Sequence, residues 1–171
     1  NDPDRYYHLA LSRMMVEQGH LLRVLPQVED LGWGRYFPDK EFLFHAFSGL
    51  GYWLAGPDGT LALVPLSGIA VALCLYWISL RVLSPARAAL LVAPVLLTSC
   101  AFLFRLTIMR PHLLAIVFFC LLLAALLRGR PWLAALATAG FALAYHALYI
   151  PVIALAVAAC VRWDEPARMR R

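Results

Sequence analysis

The sequence predicts an all-α protein, a polytopic bundle of transmembrane helices with an external loop of two amphipathic helices. Hydrophobic residues make up 63% of the 171 residues and charged residues 15%, whereas soluble domains average about 45–50% and about 25%. The charges are also unevenly spread, because four long segments after residue 60 carry none. A helix of roughly 20 apolar residues crosses a bilayer core of about 30 Å, so several membrane spans are expected.

Residues 1–60 are the most polar part of the chain and are predicted to form the external loop. Asp2 before a proline has the pattern of an N-cap followed by the first helical residue, and Gly19 is typical of a helix end. A second amphipathic helix is predicted to begin at Asp39 as its N-cap, with Glu41 in the first turn. The segment between the two helices is predicted to be an ordered loop.

The apolar part, residues 61–171, is predicted to hold five spans. Their approximate bounds are 61–80, 88–104, 111–127, 131–145 and 147–161. The last two share one uncharged run, which as a single helix would be roughly 46 Å long and too long for a simple crossing. Polar residues and a proline around His146 favour a break near residues 145–149.

The positions of the basic residues predict the orientation in the membrane. With two helices in the final run, the turns 81–87 and 128–130 share one side with the tail 162–171, and this side holds eight of the 15 lysines and arginines. Such an excess is typical of the cytoplasmic side, and it accounts for the net charge of +5 without a nucleic-acid partner. We expect an integral protein of a bacterial inner membrane, with Asn1 periplasmic and Arg171 cytoplasmic.

Three polar segments on the predicted outer side carry the candidate site. The candidate substrate-binding residues are Tyr7, His8, Glu41, Arg105, Arg110, His112 and His146. Arginine binds phosphate through two N–H groups, and the carboxylate of Asp2 or Asp4 can act as a general base or as a ligand of a divalent cation, Mg²⁺ or Mn²⁺. Helix capping, a local Glu41–His45 hydrogen bond and arginines that reach the membrane surface explain the same residues without a site.

The chain opens with DPDRYYHL, and a proline, an acidic pair, an aromatic–proline segment and an acidic amphipathic helix follow. The order of these motifs resembles the first external loop of GT-C-fold glycosyltransferases. That superfamily includes oligosaccharyltransferase catalytic subunits and protein O-mannosyltransferases. Bacterial members have DxDxWWHL, with Tyr6 and Tyr7 in place of the tryptophans here. The RPH motif at 110–112 and the bend at His146 are also similar to motifs of that group.

The resemblance implies a transferase that moves a sugar from a polyprenyl-phosphate or -pyrophosphate carrier to a glycan, lipid or protein acceptor on the outer face. It implies that Asp2 or Asp4 is the catalytic base or a metal ligand, and that further spans lie before Asn1 and after Arg171. Two alternatives stay open. A transporter or flippase would need polar residues at mid-membrane depth, and a non-catalytic scaffold would not need to gather carboxylates, arginines and histidines on one face.

Overall fold

A computed structural model describes residues 3–97, 104 and 107–168, and these residues form helices, turns and loops without strands, which confirms the all-α prediction. The elements are α1 (Pro3–Gln18), a 3₁₀ helix (Pro26–Leu31), α2 (Phe42–Ser79), α3 (Pro85–Leu97), α4 (His112–Leu127), α5 (Pro131–Ala144) and α6 (Tyr149–Arg168). Asp2 and Arg105, two of the predicted site residues, lie outside the described residues.

Helix α1 begins at Pro3, and Asp4 lies in its first turn, where the positive end of the helix dipole favours a carboxylate. It ends before Gly19, whose φ of 67° is left-handed, a common helix ending. The beginning and end of α1 therefore follow from the proline, the acid and the glycine that the sequence places there.

The segment after α1 is ordered by backbone hydrogen bonds. The N–H of Leu25 donates to the carbonyl of Trp33 at 2.7 Å, and the N–H of Phe37 donates to the carbonyl of Arg23 at 2.8 Å. These bonds close the loop over a small apolar core that it shares with α1. The core residues are Leu11, Met15, Leu22, Leu25 and Phe37.

Helix α2 contains a sharp turn at Ala55 and Gly56, which leave the helical conformation. In a continuous helix, Ser48 and Thr60 would be about 18 Å apart. Instead, the Thr60 hydroxyl donates to the carbonyl of Ser48 at 3.1 Å. The chain therefore reverses at this point, and α2 consists of a first arm, Phe42 to residue 54, and a second arm, residues 57–79.

Two glycines permit this reversal of α2. A Cβ atom on Gly51 would lie 2.7 Å from the carbonyl oxygen of Gly59, closer than side-chain carbon atoms normally approach. The first arm corresponds to the predicted second amphipathic helix, and the second arm to the predicted span at 61–80. The first arm begins at Phe42, so the predicted start with Asp39 as N-cap is wrong. The Asp39 carboxylate instead accepts the N–H of Glu41 at 3.0 Å, before the helix starts.

Helices α2, α5 and α6 pack against α4, and α3 packs against α2. Helix α5 packs closely against α4, while α2 contacts α1, α3, α4 and α5, and α4 also contacts α6. Gly140 of α5 lies directly against the Phe118 ring of α4, and small residues elsewhere on these helices also let the backbones approach. The core between them is formed by Leu122, Ala125, Ala134 and Ala137.

A break separates α5 from α6. Helix α5 ends at Ala144, Tyr145 is extended with φ −155° and ψ 140°, and α6 begins at Tyr149. The break lies where the sequence predicts it, and it turns the side chains of residues 145 and 146 toward the start of α4.

Among the described residues, one helix, α2, is long and apolar enough to cross a membrane. Helices α4 and α5 and the Tyr149–Val161 part of α6 are shorter apolar helices. These lengths and compositions support membrane association. The polytopic bundle, its five spans and its orientation stay predictions.

Two arginine-bearing turns meet at the end of α4 that is remote from His112. The guanidinium groups of Arg81 and Arg128 lie 4.9 and 4.4 Å from the ring centroid of Trp77. We call this the basic end. Since α4 has 16 residues, the basic end lies roughly 24 Å along its axis from the start of the helix.

Candidate functional site

A polar cavity of about 520 Å³ lies where the starts of α1, α2 and α4 meet the break between α5 and α6. It is lined by Asp4, Tyr7, His8, Glu41, Arg110, Pro111, His112, Ile116, Tyr145 and His146. Seven of the predicted site residues are in this set, and the other two, Asp2 and Arg105, lie outside the described residues. Side chains from three distant polar segments of the sequence therefore share one cavity.

An ion pair joins two of these segments. Arg110 Nη2 lies 2.7 Å from Asp4 Oδ2, and the two side chains are 42% and 46% exposed. Solvent screens a pair of this exposure, so it contributes about 0–1 kcal/mol to stability. Its consequence is mainly geometric, because it fixes a carboxylate and a guanidinium side by side on the cavity wall.

A chain of hydrogen bonds leads from Asp39 to His8. His45 Nδ1 lies 2.8 and 2.9 Å from the two oxygens of Asp39. Since a carboxylate only accepts, Nδ1 of His45 carries the hydrogen. Nε2 of His45 lies 2.9 Å from Nδ1 of His8, so in the neutral pair His8 donates. The two histidines are 3% and 1% exposed, and they tie α1 to the first arm of α2.

Glu41 is held between the histidine pair and the bend. Its side chain is 20% exposed, and Oε1 lies 3.9 Å from Nδ1 of His146. Burial raises the pKa of Glu41, and the charges of Asp39 and Asp4 add to this, while His45 and His146 lower it. Instead of the local hydrogen bond considered between Glu41 and His45, Nδ1 of His45 bonds to Asp39 and its Nε2 bonds to His8.

Tyr7 contributes a phenol to the cavity wall. Burial, followed by the charges of Asp39 and Glu41, raises its pKa to about 12. The phenol therefore stays protonated at neutral pH and is available as a hydrogen-bond donor.

Two residues of this wall, together with His45 beside them, can hold a metal ion. His8, Glu41 and His45 each offer a ligand atom, and these atoms all lie within 4.8 Å of one another. The metal ligands expected from the sequence were Asp2 and Asp4, but the described partner of Asp4 is Arg110. The ligand cluster is thus formed by a different set of side chains from the predicted one.

No family model matches the chain, and neither a curated protein nor a solved structure matches it. The similarity to GT-C glycosyltransferases stays an expectation from the motifs. The chemistry of the cavity is therefore argued below from its own side chains.

An apolar groove of about 870 Å³ lies between α4 and α6, next to the polar cavity. On α4, Ile116 lines the cavity and Phe119, one turn later, lines the groove. At the bend, His146 lines the cavity and Tyr149 lines the groove. The polar and apolar spaces thus follow each other within one turn along two separate elements.

The predicted set lacked His45, Asp39 and Tyr145. The spacing of Glu41 and His45 indicates that they share a helix face. This spacing was the sequence feature from which a role of His45 in the site could have been predicted. Nothing in the local sequence shows that His8, 37 residues earlier, lies opposite His45.

Proposed function

We propose that this protein is a membrane glycosyltransferase that takes a sugar from a polyprenyl-phosphate or -pyrophosphate carrier and transfers it to an acceptor on the outer side of the membrane. The observation that carries the proposal is the Asp4–Arg110 pair, 2.7 Å apart on the wall of a polar cavity that adjoins an apolar groove. The pair supplies the two charges that the reaction requires.

The transfer needs a base and a site for the leaving group. The acceptor oxygen or nitrogen attacks the anomeric carbon, the bond from that carbon to the carrier phosphate breaks, and the acceptor loses a proton. In the proposal, the Asp4 carboxylate takes this proton as general base. Arg110 binds the departing phosphate, which carries the charge that develops.

Arg110 is suited to bind an additional anion. Its Nη2 contacts Asp4, whereas its Nε is buried and has no hydrogen-bond partner among the described residues. A phosphate oxygen at Nε would satisfy this donor, and a buried unsatisfied donor is otherwise unfavourable by about 1–3 kcal/mol. The donor phosphate would also compete with Asp4 for the guanidinium, which frees the carboxylate to accept a proton.

The shape of the two adjoining spaces supports an amphiphilic donor. A sugar phosphate matches the polar cavity, where His112 and His146 add imidazole groups beside Arg110. A polyprenyl chain matches the groove between α4 and α6, whose lining is almost entirely apolar. A water-soluble nucleotide-sugar would leave that groove unused.

The arrangement of charge along the bundle also supports the proposal. The cavity and the basic end lie at opposite ends of α4, as expected for an outward-facing site and a cytoplasmic cluster of arginines. The donor phosphate would then sit at the outer surface, where lipid-linked sugars are consumed in this class of reaction.

The test compares two carboxylates of α1 in cells that carry the intact gene. Asp4→Asn removes the proposed base, and we expect the glycosylated product, measured by mass spectrometry of lipid and glycan extracts, to fall at least about 100-fold. Glu17→Gln is the matched control, because Glu17 forms an exposed 2.7 Å pair with Arg13 and does not line the cavity. The product should be unchanged in this variant.

A second measurement separates catalysis from folding. Both variants should be present in the membrane at wild-type level and with wild-type thermal unfolding. Unchanged glycan and glycolipid profiles in Asp4→Asn would contradict the proposal and favour a scaffold or transporter.

A further inference from the structure

Two buried histidines and one carboxylate meet at the polar cavity, where His8 and Glu41 line the wall and His45 lies against His8. We propose that His8, Glu41 and His45 bind one divalent transition-metal ion, and that zinc is the ion that fits them best. This site uses none of the residues that the proposed transfer reaction requires, so it stands or fails separately from that reaction.

The spacing of the ligand atoms supports a single ion. Nδ1 of His8 and Nε2 of His45 are 2.9 Å apart. Two nitrogens bound to one ion at about 2.0–2.1 Å are separated by roughly 2.9–3.4 Å, depending on the bond angle. The histidine separation lies at the lower end of this range, and an ion would take the place of the hydrogen that His8 Nδ1 now donates to His45. Glu41, whose ligand atom lies within 4.8 Å of both, would have to move closer to complete the set.

Asp39 prepares His45 as a ligand. Its carboxylate holds Nδ1–H of His45 at 2.8 Å, which leaves the lone pair on Nε2, the nitrogen that points to His8. A carboxylate that bonds the remote nitrogen of a ligand histidine fixes the ring and strengthens the ligand, and this arrangement is common at metal sites.

The charges around the cluster favour a cation. Two carboxylates adjoin the histidine pair: Asp39 bonds His45 at 2.8 Å, and Glu41, whose side chain is 20% exposed, has its ligand atom within 4.8 Å of those of both histidines. The guanidinium of Arg110, which also lines the cavity, is paired with Asp4 at 2.7 Å.

The ligand types select the metal. Imidazole nitrogens favour zinc, iron, copper and nickel, whereas Mg²⁺ prefers a shell of oxygens. Two histidines and one carboxylate also form the three-ligand set of many catalytic zinc sites, in which a fourth position stays open. Since His8 and Glu41 line the cavity, the open position would face it and take a water molecule or an oxygen atom of a bound anion.

The test measures zinc binding directly on the intact protein, purified in detergent and freed of metal with a chelator. Calorimetric titration with zinc chloride should show one ion per chain with a dissociation constant below about 1 μM. His45→Gln and Glu41→Gln should each weaken binding by at least about 100-fold, and Asp39→Asn by about 10-fold, since it removes only the supporting carboxylate.

Matched controls exclude a general effect of losing a histidine or a carboxylate. His20→Gln changes an exposed histidine whose Nδ1 contacts the carbonyl of Leu21, and it should leave zinc affinity unchanged. Asp4→Asn should also bind zinc normally while losing transfer, so that failure of the metal site and failure of the proposed reaction can be told apart.

Folding is monitored in the same samples by circular dichroism. His45→Gln removes a bond between α1 and α2, but Glu41→Gln leaves the His8–His45 contact intact and provides the variant that keeps its fold. Substituting Co²⁺ for zinc should give the visible absorption of nitrogen and oxygen ligation, without the charge-transfer band of a thiolate. Equal zinc affinity in wild type, His45→Gln and Glu41→Gln, or no binding at micromolar zinc, would overturn the proposal.

Discussion

The two ends of the helix bundle use arginine in different ways. At the polar cavity, Arg110 pairs with the Asp4 carboxylate at 2.7 Å and lies among histidines and Glu41. At the basic end, Arg81 and Arg128 stack on the Trp77 ring. The first arrangement places acid, base and cation around one cavity, whereas the second covers an aromatic side chain with cations.

In the proposed function, Arg110 has a chemical role, whereas the arginines of the basic end have a role in the predicted membrane orientation. The number of lysines and arginines in each loop predicts which end faces the cytoplasm, and Arg81 and Arg128 are among the residues that contribute to this prediction. The same count says nothing about chemistry. Arg110 differs from the other two arginines in its surroundings, which include Asp4 and the residues of the break after α5. These residues are distant in sequence, and the fold brings them together.

The largest effect is expected when the membrane side of each end is measured, because the two ends are predicted to lie on opposite sides. Alkaline phosphatase is active outside the cytoplasm, so a fusion after Arg130 should be inactive, whereas an insertion at Gly32 should be active. The expected result is an all-or-none difference in enzyme activity between equally expressed fusions. An active fusion after Arg130 would remove the outward-facing site.

Replacing one arginine at each end by a neutral residue tests whether only the arginine at the cavity is needed for transfer. Arg110→Gln removes the proposed phosphate ligand, and we expect glycan transfer to fall about 100-fold, which corresponds to about 2.7 kcal/mol. Arg128→Gln leaves the cavity intact, and transfer should stay within about twofold of wild type. Quantitative mass spectrometry of the product measures both, and similar losses in the two variants would contradict the difference in roles.

The close approach of the two arms of α2 at Gly51 and Gly59 should be more sensitive to an added side chain than a position within the second arm. Gly59→Val places a side chain against the Gly51 carbonyl, and forcing the arms apart should destabilise the fold by about 1–3 kcal/mol. Ala70→Val introduces the same side chain at a half-buried position of the second arm and is the control, and thermal unfolding in detergent compares the two.

The smallest effect is expected at Trp77. Trp77→Leu removes the ring under Arg81 and Arg128, and a partly solvated cation–π contact contributes about 0.5–1 kcal/mol. The melting temperature should fall slightly, with glycan transfer unchanged. A loss of transfer as large as that of Arg110→Gln would show that the basic end takes part in the site.

Several elements could be predicted from sequence because their signals are local. A proline and an acid begin α1, a glycine ends it, and the polar residues around His146 interrupt an overlong apolar run. The residues that line the cavity could also largely be predicted. Polar side chains are rare in an apolar chain, and their predicted location on one side of the membrane indicates that they lie near one another.

The remaining features depend on contacts that the local sequence does not show. The Asp39 carboxylate fits an N-cap equally well, and only the position of His45 shows that it supports an imidazole instead. The close approach of Gly51 and Gly59 depends on a reversal between them. The ligand cluster requires His8 and His45 to face each other across two helices, and this pairing is a result of tertiary packing.

The lining of the cavity has a consequence for biosynthesis. Its residues run from Asp4 to His146, so the wall is complete only after residue 146 has left the ribosome. At about 5–20 residues per second, the interval between the synthesis of these two residues is on the order of ten seconds. During that interval α1 can already pack against the loop that follows it, because the two share an apolar core centred on Leu11 and Phe37.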